Sequence, residues 1–138
     1  MNEPLGGMPL LLVAAVALID ADNRVLIAQR PAGKMMAGLW EFPGGKIDIG
    51  ETHAAALVRE IREELDADVD VGDLIFEVAH AYDDRTVALY FYRCTLHGIP
   101  RPLLGQEMRW VPRADLATLG FPPADAEQIK LMTGAPVR

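Results

Sequence analysis

The stretch GGKIDIGETHAAALVREIREELD, which runs from Gly44 to Asp66, decides the fold of this chain. A glycine pair opens it, a short loop leads to Glu51, and a segment with helical periodicity follows. The apolar residues of that segment share one face of a helix: Leu57, Val58, Ile61 and Leu65. The pattern therefore predicts a helix over residues 52–65 whose apolar face packs on the core.

Glutamates crowd together on a different face of the predicted helix. Side chains three and four residues apart are neighbours, so Glu60 lies beside both Glu63 and Glu64. Like charges at this spacing cost roughly 0.2–0.5 kcal/mol per pair, and a helix selected for stability alone would avoid them. Carboxylate oxygens on one face suit a hard divalent cation such as Mg²⁺. For the segment EIREEL alone, a solvated acidic face is the competing interpretation.

The whole stretch fits the spacing G-x5-E-x7-R-E-U-x-E-E, in which U is an apolar residue. The fixed positions are occupied as follows: Gly45, Glu51, Arg59, Glu60, Ile61, Glu63 and Glu64. This pattern resembles the Nudix box, and the chain is similar to MutT-type Nudix hydrolases. Further matches extend the resemblance over most of the chain: QR at 29–30, LWEFPGGKI at 39–47, DR at 84–85 and FPPAD at 121–125. The family usually has glycine at a left-handed helix end where this chain has Asp66, and Asp tolerates that conformation better than most residues.

The resemblance implies a divalent metal site, with Mg²⁺ as the expected ion and Mn²⁺ as a substitute. The implied ligands are the glutamates and a carbonyl of the glycine pair: Gly44, Gly45, Glu60, Glu63 and Glu64. Glu60 and Arg59 form the expected catalytic pair. Glu60 removes or orients the proton of an attacking water, and Arg59 orients the glutamates by charge-assisted hydrogen bonds. Glu51 is expected to support the box.

One further carboxylate of the family pattern is missing. MutT-like proteins often place a glutamate just ahead of a Gly-Gln pair before the late strand, and here that position is Leu104. Glu107 is the candidate replacement as a metal ligand. A solvated charge at the edge of a strand is the alternative interpretation of Glu107.

The resemblance also implies a set of residues that contact the nucleotide: Arg30, Glu41, Phe42, Pro43, Gly44, Arg85 and Asp125. MutT-type members place Asn where this chain has Asp125. An amide both donates and accepts hydrogen bonds, whereas an ionised carboxylate only accepts. Asp125 can therefore take N–H bonds from N1 and N2 of guanine, or from the amino group of cytosine or adenine. A first-turn acid on the helix that follows is the structural alternative.

Length and charge bound the remaining possibilities. The chain has 138 residues, enough for one domain, which we expect at 9–138 after a flexible tail at 1–8. The net charge of −7 argues against duplex nucleic acid as a partner. The apolar run at 9–19 is shorter than the roughly 20 residues of a membrane span. The single Cys94 suits a reducing cytoplasm, and a monomer or homodimer is expected.

Strand and helix signals alternate along the rest of the chain. Strands are predicted at 10–19, 24–29, 39–42, 69–79 with a break near 72–73, 86–96 and 108–111, and helices at 113–119 and 123–132. The first two strands are expected to pair as a hairpin. Strands outnumber crossover helices, which predicts an α/β fold with a mixed sheet. The resemblance implies the Nudix-type α/β/α sandwich, with that sheet between helices.

The implied activity is that of a Mg²⁺-dependent nucleoside triphosphate pyrophosphohydrolase. Water attacks an internal phosphorus and releases a nucleoside monophosphate and pyrophosphate. The leading substrates are oxidised or modified nucleotides such as 8-oxo-dGTP, and CTP or a modified cytidine triphosphate is the alternative. A non-catalytic Nudix-fold nucleotide-binding module is the alternative of another class, against which the intact glutamates argue.

Overall fold

The computed structural model describes residues 9–33 and 36–133, so the predicted tail at 1–8 lies outside the described residues. The strands are β1 (Leu10–Leu18), β2 (Arg24–Gln29), β3 (Trp40–Glu41), β4 (Gly44–Lys46), β5 (Asp68–Ala81), β6 (Thr86–His97) and β7 (Met108–Pro112). The helices are α1 (His53–Leu65) and α2 (Ala126–Met132), with 3₁₀ turns at Arg113–Thr118 and Pro123–Asp125. No helix in this part of the chain is long and apolar enough to span a membrane.

The strands form two sheets. The larger sheet has the order β4-β1-β6-β5, in which β1 and β6 run parallel and the other pairs are antiparallel. The smaller sheet is antiparallel and has the order β3-β2-β7. The predicted α/β class with a mixed sheet is confirmed.

Strand β1 is buried on both faces and separates two cores. One core combines its even-numbered residues with the apolar face of α1: Ala14, Val16, Leu18, Leu57, Ile61 and Leu65. The other combines its odd-numbered residues with the C-terminal helical segments: Ala15, Ala17, Phe91, Leu116 and Met132. A strand covered on both sides is apolar throughout, which explains the run LLLVAAVAL. The two layers of helix on either side give the sandwich.

The predicted hairpin of β1 and β2 is wrong. A single bridge, Ile19 to Val25, closes the turn between them, and the two strands then enter different sheets. The hydrogen-bonding edges of β1 are occupied by β4 and β6. Sequence proximity predicted the wrong partner because both strands find longer ladders elsewhere.

Helix α1 begins and ends as its sequence predicts. The Thr52 hydroxyl caps the first turn by accepting a hydrogen bond from the amide of Ala55 at 3.0 Å. Asp66 ends the helix in the left-handed conformation, with φ of 53° and ψ of 42°. Arg101 forms an ion pair with the Asp66 carboxylate. Asp66 therefore adopts the left-handed conformation for which the family usually has glycine.

Two other elements differ from the prediction. The segment after Pro43 was expected as a turn and loop, but Gly44–Lys46 forms β4 and pairs with β1. The expected break near residues 72–73 is a bulge within the continuous strand β5, where the register against β6 shifts between Val71 and Phe76. Glycine suits both places because no side chain obstructs the neighbouring backbone.

Candidate active site

A cavity of about 710 Å³ lies between the two sheets, α1 and the start of α2. Most of the predicted site residues line it: Arg30, Glu41, Phe42, Gly44, Gly45, Glu60, Glu64, Arg85 and Asp125. Four predicted site residues do not: Pro43, Arg59, Glu63 and Glu107. Residues far apart in the sequence thus converge on one site of a size that holds a small molecule.

The glycine pair fixes the contact between β4, β1 and α1. Gly44 has a φ of +153°, and a Cβ there would collide with the carbonyl oxygen of Ala14. A Cβ on Gly45 would overlap the carboxylate of Glu60. The side chain of Glu60 therefore lies directly against the backbone of β4. Only glycine permits this approach of a carboxylate to the backbone.

Arg59 lies outside the cavity and binds the groups that form its acidic end. Its guanidinium holds Glu51 by two parallel hydrogen bonds, 2.7 Å from Nε to Oε2 and 2.8 Å from Nη2 to Oε1. It also donates to Glu60 Oε2 at 2.9 Å and to the carbonyl oxygen of Lys46 at 2.9 Å. These bonds hold the pKa of Glu51 down at about 2 and raise that of Arg59. Arg59 does not line the cavity, and its contact with the cavity wall is the hydrogen bond to Glu60.

The acidic end offers oxygen donors of the kind that Mg²⁺ prefers. Glu60, with 16% of its side chain exposed, and Glu64 line the cavity beside the backbone of the glycine pair. Glu63 is 60% exposed and lies 3.4 Å from Arg59 on the outer side. Among residues 9–33 and 36–133, no three carboxylate, imidazole or thiolate residues form a ready metal cluster. Mg²⁺ is usually bound by one or two carboxylates, with water and substrate phosphates completing its coordination shell. The carboxylates of Glu60 and Glu64 match this coordination.

The loop after β6 closes the cavity at the C-terminal end of α1. Its backbone caps the helix, with the amide of Leu103 donating to the carbonyl of Glu64 at 3.0 Å. Gln106 is buried and fully bonded, since its Oε1 accepts from the amide of Leu104 and its Nε2 donates to the carbonyl of Glu64. Leu104 lines the cavity. The structure does not bring Glu107 to the site, because its carboxylate pairs with Arg109 outside the cavity.

The opposite end of the cavity is lined by an ion pair, an aromatic ring and an isolated carboxyl group. Arg30 donates to Glu41 Oε1 at 2.7 Å. Phe42 packs against Phe121 with ring centroids 5.4 Å apart. Burial, and then the negative charge of Glu41, raise the pKa of Asp125 to about 6, although Arg30 opposes the shift. This end combines a flat apolar surface with polar groups that can read a base.

Sequence reasoning missed several cavity residues. His80 and Tyr82 contact each other in the β5–β6 hairpin with tilted rings whose centroids lie 4.6 Å apart, and both line the cavity. Gln106 and Gln128 line it as well, and both are buried. Gln128 lies three residues after Asp125, so helical spacing was a usable signal. The hairpin residues gave no local signal, because their position depends on the pairing of β5 and β6.

Chemically, the site places a carboxylate held by arginine at one end and an aromatic, partly polar pocket at the other. The first arrangement suits a proton acceptor beside a cation-bound polyphosphate. The second suits the base of a nucleotide. A molecule with both parts could span the cavity.

Comparison with known proteins supports this interpretation. The family model described as a NUDIX domain matches residues 14–131. A Proteus vulgaris protein named 8-oxo-dGTP diphosphatase is 46% identical over 85 residues, which are 62% of this chain and 76% of that protein. An Escherichia coli protein named CTP pyrophosphohydrolase is 34% identical over 116 residues, covering 83% of this chain and 86% of its own length.

A solved structure agrees over almost the whole length. The solution structure of the E. coli ORF135 protein superimposes with a TM-score of 0.83 at 32% identity, and the match covers 98% of this chain and 99% of that one. The similarity therefore includes both ends of the cavity as well as the glutamate helix.

Proposed function

Because the chain belongs to the Nudix hydrolase family, we propose that it is a nucleoside triphosphate pyrophosphohydrolase. It cleaves a phosphoanhydride bond with water. The oxygen of the water forms a bond to an internal phosphorus, the bond from that phosphorus to the bridging oxygen breaks, and pyrophosphate leaves the nucleoside monophosphate. The single observation that carries this proposal is Glu60, a carboxylate held by Arg59 against the backbone of Gly45 inside the cavity.

We assign the water's proton to Glu60. Its carboxylate is the group at the acidic end that combines cavity access with a fixed orientation, since Arg59 occupies one of its oxygens. Arg59 is anchored in turn by Glu51, so the position of Glu60 depends on both. Glu51 and Arg59 thus act on the reaction only through the orientation of Glu60.

The activity is proposed to require Mg²⁺, with Mn²⁺ able to replace it. Glu60, Glu64 and a carbonyl of the glycine pair, Gly44 or Gly45, would hold the ion, and Glu63 stays a predicted ligand that would have to turn inward. When bound, the ion neutralises phosphate charge and lowers the pKa of a bound water. The need for a cation also follows from charge, because a chain with a net charge of −7 otherwise repels a polyphosphate.

The preferred substrate is proposed to be an oxidised or modified nucleotide such as 8-oxo-dGTP. Phe42 offers a ring for stacking on a base, and Arg30, Glu41, Arg85 and Asp125 line the same cavity. The relative named 8-oxo-dGTP diphosphatase supports this choice. A second candidate is CTP or a modified cytidine triphosphate, which Asp125 permits because a carboxylate can accept from the amino group of cytosine. The relative named CTP pyrophosphohydrolase supports that candidate.

The proposed setting is the cytoplasm, where the substrate is a free nucleotide and not duplex nucleic acid. The buried thiol of Cys94, whose pKa is raised to about 11 by burial, is compatible with a reducing compartment. The single domain is proposed to span residues 9–138 and to act as a monomer or homodimer.

Turnover of single nucleotides with Mg²⁺ tests the activity. Glu60→Gln keeps the size of the side chain and removes the proton acceptor, so we expect kcat to fall roughly 10²–10⁴-fold. Glu127→Gln is the matched control, because Glu127 is exposed on α2, pairs with Lys130 and does not line the cavity. Equal release of pyrophosphate by wild type and Glu60→Gln would contradict the catalytic role. Nucleotide binding without turnover would instead favour the non-catalytic module.

A further inference from the structure

Gln128 presents a buried polar group that the fold leaves unsatisfied. Its side chain is 1% exposed, and its amide oxygen has no hydrogen-bond partner among the described residues. The same side chain lines the cavity. A buried amide oxygen without a partner is unfavourable, and native proteins keep few of them. A side chain that lines a binding cavity and carries an unsatisfied oxygen is therefore a candidate ligand contact.

Comparison with the other buried glutamine of the cavity sharpens this point. Gln106 also lines the cavity, but both ends of its amide are bonded to backbone, at 2.9 Å to the amide of Leu104 and 3.2 Å to the carbonyl of Glu64. Gln106 is explained by the structure alone. The amide oxygen of Gln128 has no such bond among the described residues, so this part of the fold does not account for it in the same way.

The position of Gln128 points to the base end of the cavity. It lies three residues after Asp125, and the two side chains share one face of the helical segment and line the same cavity. Arg85 also lines the cavity, and its Nε has no hydrogen-bond partner among the described residues but lies 4.0 Å from the carboxylate of Asp84. The acidic end shows the contrary pattern, since Arg59 there binds both Glu51 and Glu60.

We propose that Gln128 contacts the nucleobase and selects for bases that present several N–H donors on one edge, as guanine and 8-oxoguanine do. This inference rests on the proposed function and specifies its substrate class.

The chemistry of the two side chains supports a donor-rich base. Asp125 is mostly ionised above pH 6 and then only accepts hydrogen bonds, and the free atom of Gln128 is also an acceptor. Two acceptors on one wall match the adjacent N1–H and N2–H of guanine. Cytosine offers only its amino group beside an acceptor nitrogen. The pair therefore favours guanine-type bases over cytosine.

Gln128→Met tests this role because methionine has a similar length and no amide. We expect kcat/KM for dGTP and 8-oxo-dGTP to fall about tenfold relative to CTP, mainly through KM. Binding of base-free deoxyribose 5-phosphate, measured by calorimetry, should not change. The melting temperature should not decrease, because the substitution removes an unsatisfied buried atom.

Gln106→Met is the matched control. It breaks bonds that hold the loop to α1, so we expect a lower melting temperature and a similar loss for every substrate. A lower melting temperature and an equal loss for every substrate in Gln128→Met would show that Gln128 is structural. An unchanged ratio of kcat/KM for dGTP to kcat/KM for CTP would show that it is structural or holds only a water molecule.

Calorimetry with dGMP and dCMP keeps this test separate from that of the activity. If the wild type turns over no nucleoside triphosphate, the proposed function fails, but the dGMP-to-dCMP affinity ratio in wild type and Gln128→Met still decides the inference. If the wild type binds neither monophosphate, the inference is overturned.

Discussion

The two ends of the cavity differ in how far the protein satisfies its own polar groups. At the acidic end, one guanidinium bonds to Glu51, Glu60 and the Lys46 carbonyl. At the base end, the amide oxygen of Gln128 has no hydrogen-bond partner within the described residues. At the acidic end the polar groups around Arg59 thus bond to one another within the protein, whereas the base end keeps a buried polar atom available to a ligand.

This difference matches the two tasks of the site. Groups that act on the reacting atoms work best when fixed before the substrate arrives, because no reorganisation is then needed. Groups that read a base discriminate most strongly when a wrong base leaves them buried and unpaired. On the proposed function, the same cavity would combine a preorganised end for chemistry with an unsatisfied end for base selection.

The largest expected effect breaks the acidic end. Gly45→Ala places a methyl group where the Glu60 carboxylate lies. Displacement of that side chain by about 1 Å should lower kcat about 100-fold while KM changes little. Steady-state kinetics with a single nucleotide measure the effect.

Gly120→Ala is the control for Gly45→Ala, because its new methyl group would meet only a flexible Leu39 methyl at 3.2 Å. If Gly45→Ala retained full kcat, the position of Glu60 against β4 would not matter for the reaction.

An intermediate effect contrasts the two ends by pH. Glu51 has a folded pKa of about 2, below its ordinary 4.5, so its ion pair stabilises the protein above pH 4.5 and this contribution is lost toward pH 2. Asp125 has a folded pKa of about 6, above its ordinary 3.8, so its contribution falls as pH rises from 4 to 6. Urea unfolding at pH 3.5 and 7.5 separates the contribution of Glu51 to stability from that of Asp125.

At pH 7.5, Glu51→Gln should lower the urea midpoint and Asp125→Asn should raise it. At pH 3.5 the effect of Asp125→Asn should vanish, since the carboxyl group is then largely protonated in both states. A lower midpoint for Asp125→Asn at pH 7.5 would show that its carboxylate is stabilised by partners and not penalised by burial.

The smallest expected effect concerns Glu107. Its carboxylate is half exposed and pairs with Arg109 outside the cavity, so Glu107→Gln should change kcat/KM less than about twofold. Leu104→Glu is the informative comparison, because this position lines the cavity and a new carboxylate there should strengthen Mn²⁺ binding measured by calorimetry. A large loss in Glu107→Gln would restore Glu107 to the metal site.

The sequence predicted the helix at the acidic end well because its information is local. The spacing of Leu57, Ile61 and Leu65 defines the buried face of α1, and the glutamates follow from it. The base end was predicted only in part. Its walls meet through the β5–β6 hairpin and the start of α2, and no local periodicity reports such contacts. Gln128 was overlooked for this reason, although it lies one turn beyond Asp125.

The errors in the predicted fold also arose because the prediction relied on neighbours in the sequence. The first two strands were paired because they are adjacent in sequence, yet β1 runs beside β4 and β6. The choice of Glu107 as a metal ligand relied on its closeness in sequence to Leu104, whereas its carboxylate pairs with Arg109 outside the cavity. Its neighbour Gln106 faces the cavity instead.

The parallel pairing of β1 and β6 has a consequence for biosynthesis. Leu10 lies beside Thr86 and Leu18 beside Cys94. During synthesis β1 therefore cannot form this pairing until β6, which lies about 76 residues later in the chain, has been made. Helix α1 packs on that waiting strand. Nascent chains that end before His97 lack the complete partner strand and would expose the apolar segment LLLVAAVAL. We expect ribosome-associated chaperones to bind this exposed segment.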